Sequence, residues 1–292
     1  MKLRQIQPAR WIASTAATAC MALFCVPASA AEDRPAIAPA QLTYADLADL
    51  ADSARMVVKA GIRKQRPLAP EQSPGLRAGW VRLLIEADTE ALIAGHAPIG
   101  QSLRFLADFP LDAKGKPPKL KKAELVLFAL PAANRPADLQ LIDVDSYVAA
   151  DPALEARLRE VLVQLAAPEA PPKVTGVRDA LAVEGNLSGE SETQLFLAAA
   201  HDAPVSLSVQ RRPNMAPEWG VSWSELVDQS ARPPQKDTLE WYRLACFLPR
   251  QLPPEAILSA SGSARVLAAS DYRYVLDQLG TCARTRGGPP KF

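Results

Sequence analysis

Hydrophobic and polar positions follow two periods along the chain, and together they predict short strands interrupted by a few helices. From Trp80 to Glu90 apolar residues alternate with charged ones, which is typical of a half-buried strand. Short apolar runs at 102–108, 124–130 and 139–147 are bounded by turn-forming residues. One helix followed by such strands is typical of a small antiparallel barrel or sandwich.

Helical periodicity predicts three helices. Thr43 can cap a first helix in which Leu47 and Leu50 share an apolar face, and we expect its acidic residues to face solvent. Asp151 can cap a second helix, which must end at the prolines that follow it. The third helix is predicted over 266–279.

A second strand-rich region follows those prolines. Residues 205–209 alternate between apolar and polar, as a strand with one wet face does. The run 239–248 is apolar on both faces, which predicts a central strand with Cys246 buried in it.

These patterns predict a mainly β protein with flanking helices, of the α+β class, built from two modules. A barrel or sandwich module comes first, and a second β-rich module with a C-terminal helix follows. The predicted divisions are a signal peptide (1–30), a disordered leader (31–41), the first module (42–167), a proline-rich connector (168–173), the second module (174–282) and a flexible tail (283–292).

The N-terminus has the pattern of a secretory signal peptide. A basic start precedes an apolar stretch from Trp11 to Val26, and small residues at Ala28 and Ala30 predict cleavage after Ala30. We therefore expect a periplasmic or secreted protein.

Composition narrows the function classes. A net charge of +1 gives no electrostatic reason to expect a nucleic-acid partner. Two histidines cannot supply a three-histidine metal site. Glu86, Asp88 and Glu90 alternate along one strand and could bind a cation, but the solvated face of a half-buried strand is the more ordinary interpretation, so we expect neither a metal nor a cofactor. Oligomeric state is left open.

Cys246 and Cys282 are the cysteines that remain after the predicted cleavage. An even pair in an exported protein normally forms a disulfide, so we expect these two to be bonded.

A lysine-rich loop carries the most concentrated charge in the chain. Such a loop can contact an anionic membrane surface or an acidic polymer of the envelope, or it can simply be a soluble loop that protects a neighbouring strand. Its lysines are Lys114, Lys116, Lys119, Lys121 and Lys122.

Aromatic and arginine residues gather in the second region, at Arg211, Arg212, Trp219 and Trp223. If exposed, they could bind a protein or polysaccharide partner, and if buried they would form the core of the second module. Both interpretations stay open on the sequence alone.

The first hypothesis is an exported, non-catalytic envelope protein that binds a protein or a polysaccharide. The alternative is a periplasmic hydrolase in which His201, beside Asp202, acts as the general base for Ser188 or for Ser191 as the nucleophile. Residues 185–189 lack the G-x-S-x-G pattern of a nucleophile elbow, and His-Asp is ordinary turn composition, so the sequence favours the binding protein.

Overall fold

The computed structural model describes residues 41–132, 135, 137–225 and 231–286. Within these ranges the chain forms four α-helices and ten β-strands. The helices are α1 (Tyr44–Ser53), α2 (Pro152–Ala166), α3 (Leu239–Ala245) and α4 (Gly262–Leu279). The strands are β1 (Met56–Pro67), β2 (Trp80–Ala94), β3 (Ser102–Pro110), β4 (Glu124–Pro131), β5 (Leu139–Leu141), β6 (Tyr147–Ala149), β7 (Val174–Glu184), β8 (Ser191–Ala199), β9 (Ser206–Arg211) and β10 (Glu218–Ser222).

The first sheet is antiparallel and has the strand order β3-β2-β1-β4-β5, with β6 also paired to β4. Between its two edges, β3 and β5, the structure has an isolated parallel bridge from Arg104 to Asp138, the residue before β5, and one more backbone hydrogen bond, from the Asp108 N–H to the Val144 carbonyl at 2.8 Å, but the described residues form no continuous ladder there. Within the described residues the sheet therefore stays open and is not a closed barrel. One face of it encloses a compact apolar cluster that includes Ile85, Phe105 and Leu127.

The second sheet is antiparallel with the order β10-β9-β8-β7. Its β10 edge is covered by the following segment, because the Val221 N–H donates to the Arg232 carbonyl at 3.4 Å. Its β7 edge is partly covered as well, by a bridge between Ala180 and Ile257. These contacts shield two edges that could otherwise pair with another chain.

A second apolar cluster joins the other face of the first sheet to the helices and to the second sheet. It contains, among others, Phe128 from β4, Leu158 from α2, Leu207 from β9 and Tyr272 from α4. The expected α+β class, with two β-rich parts and a C-terminal helix, is confirmed in a sandwich-like form. The two sheets pack on common helices. Along the chain, the connector 168–173 joins α2 to β7.

The run 239–248 is not the central strand that its apolar pattern predicts. It contains the helix α3, which Thr238 caps by accepting the Trp241 N–H at 3.3 Å. Five of the seven residues of α3 are buried, and the charged Arg243 is buried among them because it pairs with Asp52 at 2.8 Å. The polar positions of α3 therefore do not mark a solvent-exposed face, and a mostly buried helix can resemble a buried strand in its sequence pattern.

Candidate functional site

The lysine-rich loop between β3 and β4 is the most concentrated exposed charge in the described structure. All five of its lysines are exposed, and none makes an ion pair with another described residue. Asp112 shapes the turn, since its Oδ1 accepts the backbone N–H groups of Lys114 and Lys116, each at 2.8 Å. The carboxylate therefore organises the backbone and leaves the ammonium groups free.

Gln65 fixes the second half of the loop along β1. Its Nε2 donates to the Pro118 carbonyl at 2.6 Å, and its Oε1 accepts the Leu120 N–H at 2.7 Å. Leu120 is fully buried, and the Lys122 N–H donates to the Ile62 carbonyl at 2.9 Å. The segment 118–122 thus runs beside β1 ahead of β4, so Lys119, Lys121 and Lys122 follow the direction of β1.

Two further cations extend this charge. Lys64 and Arg66 flank Gln65 on β1, and both are exposed without an ion pair inside the described ranges. Glu86 lies opposite Lys64 in the β1–β2 ladder and is the nearest acidic position on that strand. We call the whole set the basic strip: Lys64, Arg66, Lys114, Lys116, Lys119, Lys121 and Lys122.

Of the two tryptophans in the Trp/Arg segment, Trp219 lies in the core and Trp223 is partly exposed. Trp219 is 6% exposed and packs in the shared apolar cluster, with Trp223 half-buried against it. The indole Nε1 atoms of both are buried and have no hydrogen-bond partner in the described structure. Arg212 stays exposed, 3.6 Å from a carboxylate oxygen of Glu218.

Arg211 is part of a buried polar cluster that joins α4 to the second sheet. Its Nε donates to Asp271 Oδ1 at 2.6 Å, and Thr193 Oγ1 donates to Asp271 Oδ2 at 2.6 Å. Asp271 has no exposed surface, so its charge depends on these two donors. Arg211 is thus tied to α4, while part of its side chain stays exposed.

The residues of the alternative hydrolase are not brought together. His201 and Asp202 lie in the turn between β8 and β9, whereas Ser188 lies in the turn between β7 and β8. The length of β8 separates the two turns, which is about 30 Å for a strand of this size. All three side chains are exposed, and the arrangement offers no nucleophile–base contact.

No group of three or more potential metal ligands was found among the described residues. Within the same residues, no helix is both long and apolar enough to cross a membrane. The predicted cleavage site at Ala28 and Ala30 lies outside the described part of the chain.

The predicted disulfide between Cys246 and Cys282 is confirmed. Cys246 caps the C-terminal end of α3 and Cys282 follows α4, with their Cα atoms 5.1 Å apart. The bond holds the start of the segment 283–286, which the sequence had assigned to a flexible tail.

The segment 283–286 lies on the acidic face of α1, which we expected to face solvent. Asp46 accepts the Thr285 hydroxyl at 2.6 Å and the Arg286 N–H at 3.0 Å. Asp49 accepts Arg284 Nε at 2.6 Å. Asp46 is fully buried and Asp49 is 4% exposed, so the prediction that the acidic face of α1 is exposed to solvent was wrong.

These contacts stabilise the ionised carboxylates. Burial alone would raise the pKa of Asp46, but hydrogen bonds from the Thr285 hydroxyl and from backbone N–H groups outweigh burial and lower it. Burial also opposes ionisation of Asp52, yet Arg243 at 2.8 Å and Lys173 at 3.0 Å lower its pKa. Both carboxylates act as docking points inside the protein.

A cleft of about 420 Å³ opens beside this segment, between α1, α2 and the start of α3. The Tyr44 hydroxyl donates to Gln164 Oε1 at 3.0 Å, and Trp241 Nε1 donates to the Leu279 carbonyl at 2.8 Å. Burial raises the pKa of Tyr44 to about 12. The Tyr44 hydroxyl and the Trp241 indole N–H at this cleft are thus engaged with the protein itself.

No protein-family model matches the sequence, and no curated protein is significantly similar to it. The functional conclusion therefore rests on the chemistry of the surface.

The lysines of the loop were visible in the sequence, but their neighbours on the strip were not. Lys64 and Arg66 precede the loop by about fifty residues along the chain, and only the Gln65 contacts bring them beside it. The one local signal is that both belong to the polar, exposed end of β1, whose first residues are mostly buried.

Proposed function

We propose that the protein is a non-catalytic binding protein of the cell envelope that holds an acidic polysaccharide on the basic strip. The observation that carries the proposal is a row of exposed, unpaired lysines whose backbone is fixed to β1 by Gln65. Fixed cations raise the local concentration of a polyanion without the cost of ordering the loop at each encounter.

The shape of the strip favours a linear polyanion over a bilayer. The fixed part runs beside β1 from Ile62 to Arg66, a distance of about 13 Å. None of the large apolar side chains exposed in the described structure belongs to β1 or to the loop 111–123. A peripheral membrane site normally adds an apolar wedge to its cations, and the strip offers only charge.

Among the described residues, the groups of the alternative hydrolase are not brought together, which favours a binding role over that alternative. The described histidines are exposed and lie in turns, and the hydroxyl of Ser188 is remote from His201. The charged groups that are buried, such as Asp271 and Asp46, are bonded to the protein's own donors.

Export is part of the proposal. It is supported by the signal-peptide pattern ending at Ala28 and Ala30, and by the disulfide between Cys246 and Cys282, since disulfides persist in oxidising compartments.

The test compares binding of the full chain to alginate, a linear polyuronate, with binding to neutral dextran and to phosphatidylglycerol vesicles. We expect retention on alginate alone, weakening as salt screens the lysines. The triple variant Lys119→Gln/Lys121→Gln/Lys122→Gln should bind alginate about tenfold more weakly, from roughly 0.5 kcal/mol for each exposed contact.

The matched control removes the same charge elsewhere, in Arg159→Gln/Arg265→Gln/Arg273→Gln, all of which are exposed. This variant should bind alginate as the wild type does. Equal losses of alginate binding in the two triple variants would show that only net charge matters. That result would contradict the proposal that the basic strip is the binding site. Retention on vesicles without retention on alginate would overturn the choice of polysaccharide.

A further inference from the structure

The hairpin loop between β7 and β8 carries the tripeptide Asn186-Leu187-Ser188, which has the N-x-S form of an N-glycosylation acceptor. The chain has two other asparagines, Asn134 and Asn214, and neither has a hydroxyl residue two positions later. All five residues from 185 to 189 are exposed, and Leu187 is 62% exposed at the tip.

The loop is held by its backbone, and its acceptor side chains are left free. The Gly185 N–H donates to the Glu190 carbonyl at 2.8 Å, and the Glu190 N–H donates to the Leu187 carbonyl at 3.0 Å. The Asn186 amide and the Ser188 hydroxyl make no hydrogen bond with any described residue. A transferase could therefore engage both groups without unfolding the hairpin.

Glu184 adds a second recognition element. It is exposed at the end of β7, two positions before Asn186, and makes no ion pair in the described structure. A transferase with a cationic contact could read this carboxylate together with the Ser188 hydroxyl.

We infer that Asn186 is the acceptor of an N-linked oligosaccharide, an inference that rests on the proposed export. The donor is a polyprenyl-diphosphate-linked oligosaccharide, and the catalyst is a membrane oligosaccharyltransferase. Asn186 Nδ2 forms a bond to the anomeric carbon of the first sugar as the bond from that carbon to the diphosphate oxygen breaks. Polyprenyl diphosphate leaves with the electron pair, and one amide proton passes to a base of the transferase.

The test is mass spectrometry of the full chain recovered by antibody from the envelope of its own cells. Trypsin releases residues 179–211 as one peptide, in which Asn186 is the sole asparagine. We expect this peptide to carry added hexose or hexosamine mass, and the peptide that contains Asn214 to carry none. Asn214 is exposed but lies outside an N-x-S sequence, so it is an internal control.

Three variants separate the acceptor from other sites on the same peptide. Asn186→Gln and Ser188→Ala should lose the added mass completely, and Ser188→Thr should keep it. All three should unfold at the wild-type denaturant concentration, because both side chains are exposed and neither makes a hydrogen bond with a described residue. Added mass that survives in Asn186→Gln would assign the modification to another residue and overturn the inference.

An unmodified Asn186 peptide in the wild-type chain also overturns the inference. The N-terminal peptide of the same digest tells whether export failed with it. A chain that begins at Ala31 with Asn186 unmodified would support export and would overturn only the inference of a glycan at Asn186.

Discussion

The basic strip and the Trp/Arg segment are both charged parts of strand-rich regions, but their charges lie in different environments. Along the strip, hydrogen bonds are made by the backbone and by Gln65, and the lysine ammonium groups remain in solvent. In the Trp/Arg segment, Arg211 is paired with Asp271 and Trp219 is packed inside. Whether a cation is paired inside the protein or stays exposed to solvent therefore depends on where an acidic partner lies in the fold.

That partner cannot be found by local composition. Asp271 follows Arg211 by 60 residues and reaches it from α4. The only acidic residue within the loop 111–123, Asp112, is instead bonded to backbone N–H groups. Two similar clusters of cations thus become a structural ion pair in one region and an open surface in the other.

Removing the acid of the buried pair should have the largest effect. Asp271→Ala leaves Arg211 and the Thr193 hydroxyl without their acceptor, and we expect a loss of about 2–4 kcal/mol in the free energy of unfolding. Urea denaturation measures this directly. Glu218→Ala, which removes the exposed partner of Arg212, should change the stability by less than about 0.5 kcal/mol. Equal losses would contradict the distinction between the two regions.

The buried tryptophans allow a finer comparison inside the core. Trp241→Phe removes a donor from the Leu279 carbonyl, whereas Trp219→Phe removes an indole N–H that has no partner. We expect Trp241→Phe to cost about 1 kcal/mol more than Trp219→Phe in the free energy of unfolding. A larger cost for Trp219→Phe would mean that its N–H is satisfied in solution.

Gln65 tests whether the strip depends on a fixed backbone as well as on charge. Gln65→Ala removes two hydrogen bonds and no charge, so we expect about 1–2 kcal/mol less stability and several-fold weaker alginate binding. Gln101→Ala, which removes an exposed amide without a side-chain hydrogen bond, is the control. Unchanged alginate binding by Gln65→Ala would show that charge alone is sufficient.

Lowering the pH should destabilise the protein through its buried carboxylates, whereas the exposed lysines should be unaffected. Asp46 and Asp52 have lowered pKa values in the folded protein, so their contribution to stability is present above about pH 4. It is lost as the pH falls through the folded values, while the lysines stay charged. Urea denaturation at pH 5 and pH 3 should show this loss, and Asp52→Asn should reduce it. An equal loss in Asp52→Asn would exclude Asp52 as a source.

The sequence was sufficient for features that depend on neighbours along the chain. Strand alternation predicted β2 and β9, residues 266–279 fall within α4, and the Cys246–Cys282 pairing followed from cysteine count and expected export. The exposed lysine loop was also visible, because a cluster of lysines separated by prolines has few ways to be buried.

The features that sequence analysis missed depend on segments distant in the chain. In the run 239–248, most of α3 is buried, including the charged Arg243, so its polar positions do not mark an exposed face from which a helical period could be recognised. The acidic residues of α1 resemble a solvated helix face until the segment 283–286 covers them. In each case, the burial of these residues depends on where a segment distant in the chain packs, and the local sequence pattern does not show that.

The contact between Thr285 and the start of the described chain has a consequence for engineering. The Thr285 hydroxyl donates to the Gln41 carbonyl at 3.3 Å, so residues 41 and 285 lie side by side. A short glycine-serine linker could therefore join residue 286 to residue 41 and make a circular permutant. New ends opened in the exposed loop 185–190 would leave both sheets whole, and the former ends would be protected from exopeptidases.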